Sequence, residues 1–332
     1  MEEEINIVPN RNLMIDIGRF FASFLVVCLH TKFPIPFLAP FVADLAKIAV
    51  PFFFLVSGYY LFDHVNKNAV SKITKSIRKT IKILFFAILI YAILRVIKSH
   101  FLNIDISIQN FKLIPFLLFN DSNFTEHLWY LFAFLYVLIF LLFLYKLNFA
   151  RSIIYLLLFF IPFHFALSIY SRTFIENSNL IELNWFVTGI PFTFIGILFK
   201  EHYVYLTKVK KQFLIYLILF SFIGLYVEHF LFKMVFTRGP GVFFTFLLAV
   251  SCLLFLSRDY RILNNKWTVL LSSLGQKHSL NIYIYHILFR EIFSISGFDL
   301  TINNSLVVFL ISLLFSVILV HFKEKYIKIS KQ

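Results

Sequence analysis

The chain has 332 residues, of which 60% are hydrophobic and 14% charged, with a mean hydropathy of +0.84. Soluble domains carry about 25% charged residues, so this composition excludes a soluble globular protein and points to a polytopic membrane protein. A formal net charge of +14 would suggest nucleic acid in a soluble protein; here it is assigned to cytoplasmic loops and implies no nucleic-acid partner.

Apolar runs of spanning length lie at about 13–31, 46–63, 81–98, 127–145, 152–170, 185–200, 212–230, 240–257, 278–296 and 304–321. The expected fold is all-α: one integral-membrane domain over 1–332, a transmembrane bundle of about ten helices. The stretch 267–275 is set aside as an interfacial turn. With the N-terminus inside, 21 of the 31 Lys and Arg fall on the cytoplasmic side, nine on the other, and Arg19 on neither. Both termini are therefore expected in the cytoplasm. The N-terminal MEEEINIVPNRN lacks the basic region and cleavage site of a signal peptide, so the first helix is expected to be retained.

The first run, between Asp16 and Pro34, holds an Arg and a His inside an otherwise apolar segment. Arg19 and His30 are eleven positions apart, which at about 100° per residue is roughly 20° past three full turns, so both lie on one helix face. A rise of about 1.5 Å per residue separates their backbones by roughly 16 Å, about half the hydrocarbon thickness. A guanidinium at that depth costs at least about 2.5 to 3.5 kcal/mol and should face the bundle interior or a water-filled cavity. Two readings stay open: a functional pair, or an Arg19 that only pairs with Asp16 one turn earlier beside an interfacial His30.

Further along, Ser57-Gly58 in the second run reads as close helix packing, since the strand, turn and helix of a nucleophile elbow are absent. The most basic stretch, 64–82, reads as a loop that anchors beside anionic lipid headgroups. The loop 99–126 carries Asp105, Asp121 and Glu126 among aromatics, which suits sugar hydroxyls and rings but also any solvated loop. Glu126, His127, Trp129 and Tyr130 are bunched at a helix start, as a substrate site or as part of an interfacial belt. Pro162 and Pro191, with Gly189 and Gly196, mark kinked or flexible points, and His164 reads as a satisfied bundle histidine. In the ninth run Ser279, His286 and Arg290 share one face near Tyr283 and Tyr285. That stripe either lines the cavity of Arg19 and His30 or pairs with a carboxylate. Cys28 and Cys252 read as small buried hydrophobes, and no metal-ligand spacing is present.

The spacing of Arg, ten residues and His, with its IDxxR lead-in and a Pro shortly after, resembles the membrane acyltransferase-3 family. PFFFLVSGYYLF at 51–62, HLWYL at 127–131 and SLNIYIYH at 279–286 are similar to other recurring segments of that family, in the same order. The resemblance implies transfer of an acyl group, usually acetyl, from cytoplasmic acyl-CoA to a hydroxyl of an extracytoplasmic or lipid-linked glycan. The commonest setting is O-acetylation of a bacterial surface polysaccharide, in capsule or exopolysaccharide biosynthesis, at the multi-pass cell membrane. Acetyl-CoA would be a substrate, with no permanently bound cofactor and no metal; the partners are the donor, the glycan acceptor and membrane lipids.

Within that resemblance His30 is the general base, since an imidazole with an unperturbed pKa of about 6.5 can take a proton at physiological pH. Arg19 orients the donor or stabilises the developing oxyanion. Asp16, Glu126, His127, Trp129, Tyr130, Ser279, His286 and Arg290 are candidate substrate-binding residues. The basic 64–82 stretch gains a second reading, as a landing site for the nucleotide phosphates of CoA. The rival function is a transporter or flippase of a lipid-linked sugar, against which stands the lack of an internal repeat with paired, broken helices.

Overall fold

The computed structural model describes residues 12–61, 69–102, 126–174, 183–235, 242–258, 265–296 and 304–329. The described residues are helical, with no strand among them. In chain order the helices are α1 (Leu13–His30), α2 (Ala39–Ala46), α3 (Ala49–Leu61), α4 (Ala69–Leu102), α5 (Trp129–Lys146) and α6 (Ala150–Phe174). They continue with α7 (Ile190–Glu201), α8 (Tyr203–Leu206), α9 (Lys211–Val235), α10 (Phe243–Leu256), α11 (Lys266–Ile295) and α12 (Ser305–Ile329).

Local chemistry sets the ends of α1. Asn12 caps it by accepting from the Met14 and Ile15 amides at 2.9 and 3.3 Å, while its Nδ2 donates to the Ser257 carbonyl at 2.7 Å. The helix stops at His30 because Thr31 is extended (φ −137°, ψ 161°). Its hydroxyl turns back to the Val27 carbonyl at 2.6 Å. An isolated bridge between Lys32 and Asn304 then ties this end to the start of α12.

Helix is found in each of the ten apolar runs and extends beyond several of the expected bounds, furthest at the starts of α4 and α11. Much of the basic stretch 64–82 is not a loop: helix begins at Ala69 and α4 continues for 34 residues. No Gly or Pro occurs in that segment and Lys, Arg and Ile support helix, so only hydropathy changes there. Likewise 267–275 is the beginning of the 30-residue α11, capped by Asn265, whose Oδ1 accepts from the Thr268 amide at 2.8 Å. The loop residues Asp105 and Asp121 lie outside the described residues.

Six segments are long and apolar enough to cross a membrane among the described residues: Leu13–His30, Ala39–Leu61, Ala69–Phe101, Trp129–Lys146, Lys211–Leu231 and Ser305–Tyr326. This is a multi-pass membrane protein. Phe243–Leu256 is apolar but shorter, and α11 carries too many polar groups to qualify on hydropathy. The polar helix is instead sheltered by its neighbours, most extensively by α1.

Two close helix crossings position the site. A Cβ on Gly275 of α11 would lie 1.8 Å from the Asp16 carbonyl oxygen of α1, so only glycine permits that approach. Between α3 and α7, Gly58 meets the Thr193 carbonyl and Gly196 the Leu55 carbonyl, with Cβ distances of 1.8 and 2.0 Å. The packing reading of Ser57-Gly58 is borne out for the glycine. The main core runs between these crossings, with Phe54, Leu55, Leu128, Ala133 and Phe192 almost wholly buried. Pro162 lies inside α6, whereas Pro191 opens α7 after a π-turn at Trp185–Gly189. His164 is a satisfied bundle histidine, its Nδ1 being 2.8 Å from the Val187 carbonyl.

Candidate active site

Arg19 lies one turn after Asp16, and its guanidinium donates to the fully buried Asp16 carboxylate at 3.2 Å. The side chain nevertheless stays 22% exposed, and it lines a cavity of about 290 Å³. Arg19 is therefore paired as expected of the structural reading, and it also faces a cavity, as expected of a guanidinium at that depth. The other polar walls are Ser57 and Tyr60 of α3, Ser76, Lys79 and Thr80 of α4, Tyr130 of α5, and Ser279 and Tyr283 of α11. Ser57 Oγ and the Tyr130 hydroxyl share a hydrogen bond of 3.0 Å. The Ser279 hydroxyl is buried with no partner among the described residues.

Beyond Tyr130 and Tyr283, whose rings meet edge to face at 5.5 Å, three histidines cluster. The His286 ring lies 5.1 Å from that of His30 and 5.9 Å from that of His127, centre to centre. The Tyr283 hydroxyl donates to the His127 carbonyl. Tyr91 of α4 packs its ring 4.4 Å from His127. Its hydroxyl donates to the Ile284 carbonyl at 2.6 Å and accepts from the Leu288 amide at 3.1 Å. His286 Nδ1 is 2.8 Å from the Tyr283 carbonyl and 3.2 Å from that of Ile282. The Nε2 atoms of His127 and His286 are buried without a hydrogen-bond partner among the described residues.

The remaining candidates divide. Arg290 donates to the His30 carbonyl at 3.2 Å and to Glu291 at 2.8 Å, and Glu291 also pairs with Lys98. So the α11 stripe divides: Ser279 lines the Arg19 cavity, His286 meets His30 outside that cavity, and Arg290 has its carboxylate. Trp129 turns into the core, its ring 6.1 Å from Phe54. Glu126 opens a 3-10 turn ahead of α5. Among the described residues no group of three His, Cys, Asp or Glu side chains could hold a metal ion.

Sequence reasoning covered Ser76, Lys79 and Thr80 only within the basic 64–82 stretch, without naming them as a cavity wall, and did not single out Tyr91. The first three fall at i, i+3 and i+4, one face of a helix, a pattern hidden because the stretch was read as a loop. Ser57 was weighed only as a packing partner or a nucleophile, not as a wall of the cavity.

A family model described as an acyltransferase domain matches residues 12–321, a span that contains every candidate residue above. The chain belongs to the acyltransferase-3 family. With its six candidate spans, it is a membrane protein of that family. Two amino-acid racemases of Enterococcus faecalis are similar to part of this chain, at 32% and 36% identity over 121 residues. That stretch is 35% of this chain but 17% and 16% of the racemases, so the chain spans less than a fifth of the length of the curated relatives it matches. No solved structure matches it.

Proposed function

We propose that this acyltransferase moves acetyl from acetyl-CoA to a hydroxyl of a cell-surface polysaccharide or lipid-linked glycan, in the cell membrane of a bacterium. One observation carries the reading: a cavity holding Arg19 and a histidine cluster holding His30 lie along the same helix, joined through Tyr130 and Tyr283. Cationic Arg19 and Lys79, with the Ser57, Ser76 and Thr80 hydroxyls, suit the phosphates and polar arm of CoA. The Asp16 pair fixes the guanidinium in place, so its orientation need not be set anew when the donor binds. His30 then takes the proton of the acceptor hydroxyl as that oxygen attacks the acyl carbon.

The direct test incubates the purified, reconstituted protein with labelled acetyl-CoA and membranes containing candidate glycans. Label is expected on a glycan hydroxyl. Sugar movement across the vesicle without transfer of label would replace the reading with a flippase.

In this reading the bundle crosses the membrane ten times with both termini in the cytoplasm, which puts the Arg19 cavity on the CoA side and His30 towards the acceptor. The support is the 21-to-nine division of Lys and Arg. Single cysteines at Ser71 and Ser122, in a background without Cys28 and Cys252, should differ towards an impermeant thiol reagent added to intact cells. Only the Ser122 position should react. Reaction at Ser71 instead would invert the bundle and place His30 on the cytoplasmic side.

A further inference from the structure

We infer that His286 is a nucleophile that carries the acyl group as a covalent acyl-imidazole between the Arg19 cavity and the acceptor, an inference that rests on the acyl transfer proposed above. The order of groups in space is the first reason. Tyr283 lines the cavity, its ring is 6.3 Å from that of His286, and His286 in turn is 5.1 Å from His30. Neither His286 nor His30 is part of the cavity wall, but His286 packs against a wall residue, Tyr283. An acyl group advancing from the cavity past the tyrosines therefore meets the central ring of the cluster before the ring of His30.

The tautomer of His286 is the second reason. A carbonyl oxygen only accepts, so with Tyr283 O at 2.8 Å and Ile282 O at 3.2 Å the proton sits on Nδ1. In the neutral ring Nε2 then carries the free lone pair. That atom is buried and has no hydrogen-bond partner among the described residues. A buried acceptor left without a partner forfeits its hydration and needs an explanation, of which a chemical role is one. Holding the Nδ1 proton on backbone carbonyls presents a nucleophilic nitrogen without any rearrangement.

The two steps balance. The Nε2 lone pair attacks the thioester carbonyl carbon, the carbon–sulfur bond breaks, and CoA leaves as a thiolate, forming an Nε2-acyl imidazolium that keeps its Nδ1 proton. The acceptor hydroxyl then attacks the same carbon while His30 removes its proton. The carbon–nitrogen bond breaks and returns the lone pair to Nε2. The proton on His30 passes to water, and water protonates the thiolate, so the sum is thioester plus alcohol giving ester plus thiol. The donor and the acceptor need not occupy one place at one time, and the acyl group never has to reach His30.

Isotope exchange tests this. Labelled CoA is incubated with unlabelled acetyl-CoA and the reconstituted full chain, with no acceptor, and label entering acetyl-CoA is measured beside transfer to glycan in a parallel sample. The wild type should exchange, His30→Ala should exchange but not transfer, and His286→Ala and His286→Asn should lose both while still binding desulfo-CoA. Transfer without exchange in the wild type would overturn the covalent intermediate and leave the proposed reaction standing. Exchange persisting in His286→Ala, or lost in His30→Ala, would overturn the assignment to His286. Absence of both exchange and transfer in the wild type would overturn the inference together with the reaction it rests on. Should the His286 variants fail to bind desulfo-CoA, mass spectrometry of the wild type quenched after incubation with acetyl-CoA alone decides: acetyl on the peptide carrying His286 is expected, and acetyl on the peptide carrying His127 would overturn the assignment.

Discussion

The Arg19 cavity and the histidine cluster lie at two ends of one helix face, yet their central side chains are satisfied differently. At the Arg19 end charge meets charge: the guanidinium is paired with Asp16, Ser57 is bonded to Tyr130, and the cavity admits water to Arg19. At the His30 end the Arg290–Glu291 pair bonds the helix end, but around the rings backbone carbonyls and tyrosine hydroxyls hold the frame, and two imidazole Nε2 atoms are kept buried and unbonded among the described residues. A wet, ion-paired site is suited to holding a large anionic donor. A dry site with free nitrogen lone pairs is suited to moving protons and acyl groups, because water there would occupy those lone pairs and hydrolyse the acyl intermediate. Binding and chemistry are thus separated along α1, and substitutions at the two ends should separate them in measurement.

The largest effect should come at the dry end. His30→Ala and His30→Gln are both expected to lower acyl transfer by about 10²- to 10⁴-fold, the range of a lost general base, because neither methyl nor amide can take the proton. Membrane insertion and yield should stay normal, since α1 is capped by Asn12 and ends on the Thr31 turn without help from the imidazole. Affinity for acetyl-CoA should also be unchanged. Near-normal transfer by both variants, measured with labelled donor in vesicles, would remove His30 from the chemistry and break the contrast.

Arg19 should show the reverse pattern. Hydrogen bonds to charged groups contribute about 1.5 to 3 kcal/mol, so Arg19→Ala should weaken acetyl-CoA binding by about 10- to 100-fold. Arg19→Lys keeps the charge but loses the planar fork, and should fall between the wild type and alanine. Titration of each variant with acetyl-CoA checks this. If neither variant changes affinity or turnover, the pairing of Arg19 with Asp16 is its whole role.

How much of this was legible in the sequence follows from which signals are local. The Arg19 and His30 pair was legible because one helix period fixes their shared face, and the alignment of Ser279, His286 and Arg290 followed from the same arithmetic. What no single-helix rule could give was their meeting. That depends on Gly275, whose missing side chain lets α11 close onto the Asp16 carbonyl, so that His286 comes within 5.1 Å of His30. Lys79 was hidden for another reason: hydropathy falls where α4 leaves the apolar zone, and that fall was taken for the end of the helix. That α11 is not among the six qualifying spans of the described residues has a related cause. A helix such as α11 keeps its polar residues because neighbours cover them, which a hydropathy window cannot see.

The smallest effect tests whether the tyrosines at the boundary belong to the binding side. Tyr130→Phe removes the hydroxyl bonded to Ser57 while leaving the ring that packs on Tyr283 and Phe54. A neutral hydrogen bond contributes about 0.5 to 1.5 kcal/mol net, so acetyl-CoA affinity should fall by about two- to tenfold. Turnover at saturating donor should change little. Ser57→Ala breaks the same bond from the other partner and should weaken binding to a similar degree. The double variant should then be little worse than either single one, because the second change removes a bond that is already gone. Additive losses would mean that the two hydroxyls meet the donor separately. A fall in turnover with affinity unchanged would move Tyr130 to the histidine side and shift the boundary between binding and chemistry one helical layer closer to Arg19.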